Sequence, residues 1–305
     1  RAIAAPMRER LRPHLEGSVR LGDGRRLAFA EFGAPRGRPV FWFHGTPGGR
    51  RQVPLAAREM AALEGVRLIG VDRPGIGGSS AHLYGSVIDF AHDIEQLADR
   101  LSCDRFAVVG LSGGGPYTLA CAFALRERVA AAGVLGGVAP TRGDDAAAGG
   151  LVALAAQLEP LLRLVHEPVG AALATLVRPL HPFASPIFRL FAAVSPPADR
   201  AVFRQPEIQA MFLDDLLRAS RRNLRAPIYD LLLFSRPWGF ALGDIAVPVR
   251  FWHGDADHMV PLAHGHWQAS RIPAAEIRVR PGESHLGGLA AAAEVLETLL
   301  ALWEK

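Results

Sequence analysis

The chain has 305 residues, half of them hydrophobic, with a formal net charge of +4 and two cysteines. That length allows one large domain, or a domain with an insertion, built on a sizeable core. The mild positive charge sits in short arginine clusters such as Arg50-Arg51 and Arg221-Arg222 without interleaved aromatics, which reads as solvated surface and argues against nucleic-acid binding.

In chain order, residues 1–15 are basic and lack the apolar stretch of a secretion signal, and the chain starts at Arg1, which leaves a preceding leader open. Residues 18–21 and 26–32 read as two strands around the Asp-Gly hairpin signal at Asp23-Gly24. An apolar strand at 39–43 runs into His44-Gly45-Thr46-Pro47-Gly48-Gly49. A helix at 53–63 and a β-branched strand at 66–71 follow, ending in the loop Asp72-Arg73-Pro74-Gly75. Residues 87–101 are amphipathic at helical spacing. An apolar run from Phe106 stops at Gly110-Leu111-Ser112-Gly113-Gly114, followed by a helical pattern from Pro116 and another strand at 129–135.

This alternation implies a mainly parallel sheet with helices on both faces. It stops at about Ala139. From 139 to 240 the pattern is helical, rich in Leu and Ala and broken by prolines at 160, 168, 179, 182, 186, 196, 197, 206 and 227. Strand resumes at 247–252, then helix (263–271), strand (276–280), a loop and a last helix (289–303). The expectation is an α/β chain with an eight-stranded, mainly parallel central sheet, a core domain of 1–138 and 241–305, and an all-helical cap at 139–240 inserted after strand six. No uninterrupted apolar run reaches the length of a membrane span; the most apolar stretch, 146–165, is interrupted by Gln157, Glu159, Pro160 and Arg163.

Strand, tight glycine turn and helix is the setting in which G-x-S-x-G makes a nucleophile elbow. A serine hydroxyl needs a base within hydrogen-bond reach and a third group to orient that base. In an open parallel sheet these groups belong in loops at the carboxyl ends of strands. Of the eleven histidines, position removes most, and His285, in the loop after the last strand, is the best base. The acid belongs after the preceding strand: Asp257 is favoured over Asp255, which reads as a turn residue bonding its own backbone, with Asp72 a third candidate. Cys103 and Cys121 lack metal-ligand spacing and fit a reducing, cytoplasmic setting; no metal or cofactor is implied.

The order Ser112, Asp257, His285 is that of nucleophile, acid and base in α/β-hydrolases, and the chain resembles that superfamily over nearly its whole length. His44-Gly45-Thr46-Pro47-Gly48 resembles the H-G-x-P-G oxyanion loop, and Asp72-Arg73-Pro74-Gly75-Ile76-Gly77 the D-x-P-G-x-G loop. Gly254-x-x-Asp257 with Val260-Pro261, then His285, completes the set. The resemblance implies an oxyanion hole made by the backbone N–H groups of Thr46 and Gly113, with His44 bracing the loop.

The expected activity is a serine hydrolase cleaving a carboxylic ester or related acyl bond of a small, apolar substrate, with homo-oligomerisation left open. Proline iminopeptidases resemble the chain in Pro47-Gly48-Gly49, but position 46 is Thr and the elbow lacks their tryptophan. They also need cap acids to hold a substrate amine, for which Glu159, Glu167, Glu207, Asp214 and Asp215 are the candidates. Carbon–carbon bond hydrolases of this fold, and a non-catalytic small-ligand receptor, are the remaining alternatives. Dehalogenases and epoxide hydrolases use an aspartate nucleophile, against which Ser112 argues.

Overall fold

The computed structural model describes residues 5–149, 157 and 159–304. Eight strands form one sheet: β1 (Leu15–Arg20), β2 (Arg26–Gly33), β3 (Arg38–Phe43), β4 (Val66–Val71), β5 (Phe106–Leu111), β6 (Val129–Leu135), β7 (Val249–Gly254) and β8 (Ala275–Arg280). Their order is β1-β2-β4-β3-β5-β6-β7-β8. The hairpin β1–β2 pairs antiparallel, with Arg20 opposite Arg26, and β2 runs antiparallel to β4. The remaining pairs are parallel. The first strand begins earlier than the expected Ser18, because pairing carries on to Leu15 opposite Glu31.

Helices cover both faces. They are α1 (Ala5–Arg10), α2 (Leu55–Leu63), α3 (Asp89–Arg100), α4 (Gly115–Ala124), α10 (Leu262–Arg271), α11 (Gly287–Ala290) and α12 (Ala292–Trp303), with five more α-helices between β6 and β7 among the described residues. The period of two along each strand sorts side chains between two cores. Phe41 and Phe43 join Phe90, Ile94 and Leu97 of α3 and Tyr117 of α4 on one face. Val40 and Trp42 join Val53, Ala57 and Ala61 near α2 and Val295, Leu296 and Leu299 of α12 on the other. β5 and β6 are buried along their whole length, which accounts for their continuous apolar runs.

The stretch expected to be a helical cap holds α5 (Glu159–Val177), a 3-10 segment (Arg178–Phe183), α6 (Ala184–Val194), α7 (Pro197–Phe203), α8 (Pro206–Ala219) and α9 (Ala226–Phe234). Residues 150–156 and 158 of that stretch, and part of the apolar run 146–165, lie outside the described residues. Among the described residues of the stretch there is no strand; Leu224 makes one isolated bridge, with Ile76. The prolines were expected to break helices, yet α5 continues through Pro168. Pro197, Pro206 and Pro227 stand in the first turn of α7, α8 and α9, where a missing N–H costs nothing. Trp238 is buried in the core, tilted against Phe240, which in turn stacks on Phe123. No described helix is long and apolar enough to cross a membrane.

Candidate active site

β3 lies between β4 and β5, so successive connections leave it in opposite directions and open a crevice at the carboxyl ends of these strands. Thr46, Ser112, Asp257 and His285 all follow strands at that edge. Ser112 comes directly after β5 with φ +51°, a left-handed conformation that non-glycine residues rarely adopt. Such a residue carries about 1–3 kcal/mol of strain, which the surrounding structure must outweigh. The flanking glycines make the turn possible. A Cβ on Gly110 would run into Gly114 O and Thr118 Oγ1, and one on Gly114 into Phe43 O. The turn leaves Ser112 half-buried among buried neighbours.

His285 Nε2 lies 2.8 Å from Ser112 Oγ, and His285 Nδ1 lies 2.8 Å from Asp257 Oδ2. A carboxylate can only accept, so Nδ1 carries the proton toward Asp257 and Nε2 is free to accept from the Ser112 hydroxyl. The other oxygen, Asp257 Oδ1, accepts from Met259 N and Val260 N, both at 2.9 Å, so the carboxylate cannot rotate away. Burial works to raise the Asp257 carboxyl, but the His285 hydrogen bond and charge, with the Val260 N–H, outweigh it and hold the group below its ordinary 3.8. A lowered carboxyl contributes stability that is present above the unfolded value and lost as pH falls through the folded one. Asp257→Asn is therefore expected to flatten the loss of stability below about pH 4, read by chemical denaturation across pH 2–6; an unchanged acid limb would contradict this coupling.

The competing acids sit elsewhere. Asp255 is exposed and accepts from Gly282 N at 2.8 Å, bonding a neighbouring loop where a bond to its own backbone was expected. Asp72 accepts from Arg50 N, Gly78 N and the Arg50 guanidinium, and touches no histidine among the described residues. His285 is held from both sides by a residue that sequence reasoning missed. Asp199, on α7, accepts from Ser284 Oγ at 2.8 Å and from Leu286 N at 2.9 Å.

On the other side of Ser112, Thr46 lies against the elbow, and a Cβ on Gly113 would collide with Thr46 Oγ1 and close on Phe234. Among the described residues the Thr46 N–H has no hydrogen-bond acceptor. The loop is braced by His44, whose Nδ1 lies 2.8 Å from Gly45 O and whose Nε2 accepts from Arg73 N at 3.3 Å. Burial, with the Arg73 charge beside it, pushes His44 well below its ordinary value, which keeps it neutral and fits that pair of bonds. Arg73, Asp230 and Tyr117 form a buried cluster behind Thr46. Arg73 was visible only as part of a loop motif, and nothing local marks Asp230.

Gly113→Ala is expected to cut turnover of any acyl substrate by about 100-fold, the scale of one lost oxyanion donor, because the methyl displaces Thr46. Steady-state kinetics on the folded variant check this; full activity would mean that Thr46 and Gly113 need not approach.

As a chemical device, the chain Ser112–His285–Asp257 can withdraw the serine proton and hold the resulting imidazolium. Thr46 and Gly113, the latter at the amino end of the helical turn leading into α4, can offer N–H groups to negative charge.

Comparison with known proteins agrees with this geometry at the level of fold. Residues 38–157 match the model of the alpha/beta hydrolase fold family. A proline iminopeptidase from Xanthomonas citri is 35% identical over 115 residues, which is 37% of this chain and 36% of that one. One from Arabidopsis thaliana is 30% identical over 123 residues, 39% of this chain and 31% of that one. The matches thus span about a third of the length of these curated relatives. Over the whole chain, the structure of an esterase from Exiguobacterium antarcticum superposes with a TM-score of 0.67 at 19% identity, covering 95% of this chain and all of that one. That likeness is one of fold. Sheet order, elbow and matched motifs agree: the chain has the α/β-hydrolase fold, and its residues 38–157 match the model of that fold's family.

Proposed function

We propose that this hydrolase cleaves carboxylic esters or related acyl bonds with Ser112 as nucleophile, His285 as general base and acid, and Asp257 as its orienting carboxylate. The observation that carries the reading is the continuous 2.8 Å hydrogen-bond chain from Ser112 Oγ through both His285 nitrogens to Asp257. His285 takes the proton as Ser112 Oγ attacks the acyl carbon. The N–H groups of Thr46 and Gly113 hold the developing oxyanion, and His285 hands the proton to the leaving alcohol. Water then enters, activated by His285, and releases the acid from the acyl-enzyme. The helical segment 139–240 serves as a cap over this site and selects a small, apolar acyl substrate; Phe234, which lies against Gly113, is one wall.

A second reading, an aminopeptidase acting on amino-terminal proline, draws on the relatives' names. It needs an unengaged carboxylate to meet the substrate amine. The five candidate acids are all occupied within the protein. Glu159 pairs with Arg236, Glu167 with Arg225, Glu207 with Arg10, and Asp214 with Arg51. Asp215 accepts from Gly49 N and Arg51 N. This favours the esterase reading. A panel of p-nitrophenyl esters of increasing acyl length, run beside proline p-nitroanilide, separates the two. Ester turnover with none of the anilide is expected; anilide turnover alone would move the assignment to a peptidase.

A further inference from the structure

Asp230, on α9, is 2% exposed and is met by groups from both sides of the oxyanion site. Its Oδ1 accepts from Tyr117 OH at 2.7 Å and Arg73 Nε at 3.1 Å. Its Oδ2 accepts from Arg73 Nη2 at 2.7 Å and Thr46 Oγ1 at 2.5 Å. Tyr117 belongs to α4, the helix that leaves the elbow. Arg73, also 2% exposed, donates its remaining N–H groups to His44 O at 2.5 Å, Gly45 O at 3.2 Å and Thr46 Oγ1 at 3.0 Å. One carboxylate of the helical segment thus ties the loop 44–46 to the elbow helix.

The peptide geometry gives this cluster a consequence for catalysis. Gly45 C=O and Thr46 N–H are the two ends of one planar, trans peptide unit, so they point in opposite directions. Arg73 Nη2 and His44 Nδ1 both hold the Gly45 oxygen on one side. Fixing that oxygen therefore aims the Thr46 N–H the other way, away from Arg73. A guanidinium buried this deeply needs a counter-charge, and Asp230 is its one ion-pair partner among the described residues. Without that charge Arg73 would draw in water or swing away, and the peptide it aims would be released.

We propose that Asp230 is a positioning residue of the oxyanion hole, acting through Arg73 on the Gly45–Thr46 peptide and through Tyr117 on the elbow. The inference rests on the serine-hydrolase reading above. It makes α9 part of the catalytic apparatus as well as of the substrate cover: any movement that lifts α9 from the sheet edge switches off oxyanion stabilisation.

The test uses the full chain in three forms: wild type, Asp230→Asn, and the double variant Arg73→Met with Asp230→Leu, which removes both charges and replaces them with apolar volume. Wild type is first labelled with a fluorophosphonate, with Ser112→Ala as control. For each form, kcat and KM on p-nitrophenyl butyrate, the melting temperature and the inhibition constant of an alkyl trifluoromethyl ketone, whose hydrate oxyanion needs the hole, are measured. The expected result for Asp230→Asn is a kcat lower by about 10- to 100-fold with KM within about threefold. The trifluoromethyl ketone should weaken in parallel. The double variant should recover thermal stability without recovering kcat, because apolar replacement of a buried ion pair restores packing but supplies no donor to Gly45 O. Recovery of wild-type kcat in the double variant would show a purely structural role and overturn the proposal, as would unchanged kcat and inhibition in Asp230→Asn. Should Asp230→Asn fail to fold, the double variant carries the same test. An unlabelled wild type would sink the serine-hydrolase reading and this inference together. A labelled wild type with unaffected variants would sink this inference alone.

Discussion

Ser112→Ala is expected to lose ester turnover by at least about 10,000-fold and to lose fluorophosphonate labelling altogether, while remaining folded. The size follows from the way the site is built. His285 Nε2 has Ser112 Oγ as its partner at 2.8 Å, and removing the oxygen leaves the base with nothing to activate. Residual rate would come only from the N–H groups around the oxyanion and from substrate binding. The fold should persist because the turn depends on glycines 110 and 114, whose missing Cβ atoms let β5, β3 and α4 approach, and not on the hydroxyl. Circular dichroism and a melting curve establish folding, and turnover of a p-nitrophenyl ester gives the rate. Labelled or active Ser112→Ala would mean that another residue attacks the acyl group.

Asp257→Asn should lower kcat by about 1,000- to 10,000-fold, whereas Asp255→Asn should stay within about threefold of wild type. The two aspartates are neighbours in sequence and strangers in chemistry. Asp257 uses one oxygen on His285 Nδ1 and the other on the N–H groups of Met259 and Val260. An asparagine there has one acceptor for three donors. Either its amide faces the backbone N–H groups, or it faces His285 and forces the tautomer in which Nε2 carries the proton and can no longer accept from Ser112. Asp255 is exposed and accepts from Gly282 N through one oxygen, a bond that the Asn carbonyl can keep. Equal losses in the two variants would place the orienting carboxylate elsewhere. The comparison needs no knowledge of the natural substrate, since any ester that is turned over reports on it.

Much of the core was legible because its signals are local. β4 and β6 were read to their observed ends, since a short apolar run with β-branched residues between turns is complete in itself. The last helix was read as one from Leu289, but the chain forms two, Gly287–Ala290 and Ala292–Trp303, a break that hydrophobic periodicity does not show. Helix ends shifted elsewhere by a residue or two, as at α4, which starts at Gly115 and not at Pro116. Pro168 misled in the other direction. A proline argues for a break, and α5 runs through it.

The site divides along the same line. Ser112 and His285 could be picked out because each follows a strand end, and strand ends are local features; Asp257 was favoured over Asp255 after the same strand, and Thr46 came from the resemblance of its loop to the H-G-x-P-G motif. The structure brings Ser112, His285 and Asp257 into hydrogen-bond contact and sets Thr46 beside Gly113. Asp199 and Asp230 had no such marker. Each sits in a helix at an ordinary position, and each finds its partner across a large sequence separation: Asp199 with Ser284, Asp230 with Arg73. Charge, spacing and periodicity carry no information about such pairs.

The sequence by itself determined the alternation of strand and helix, the glycine turn that holds Ser112, and the chain order Ser112, Asp257, His285, because each is written in neighbouring residues. Only the tertiary structure decided the strand order and the choice between Asp257 and Asp255 as the carboxylate that meets His285. It also decided that buried carboxylates from α7 and α9 reach the loop that carries His285 and the loop 44–46. The physical reason is that a buried charge must find its counter-charge or donors in space, and which groups become neighbours in space is settled by how the helical segment between β6 and β7 lies on the sheet edge.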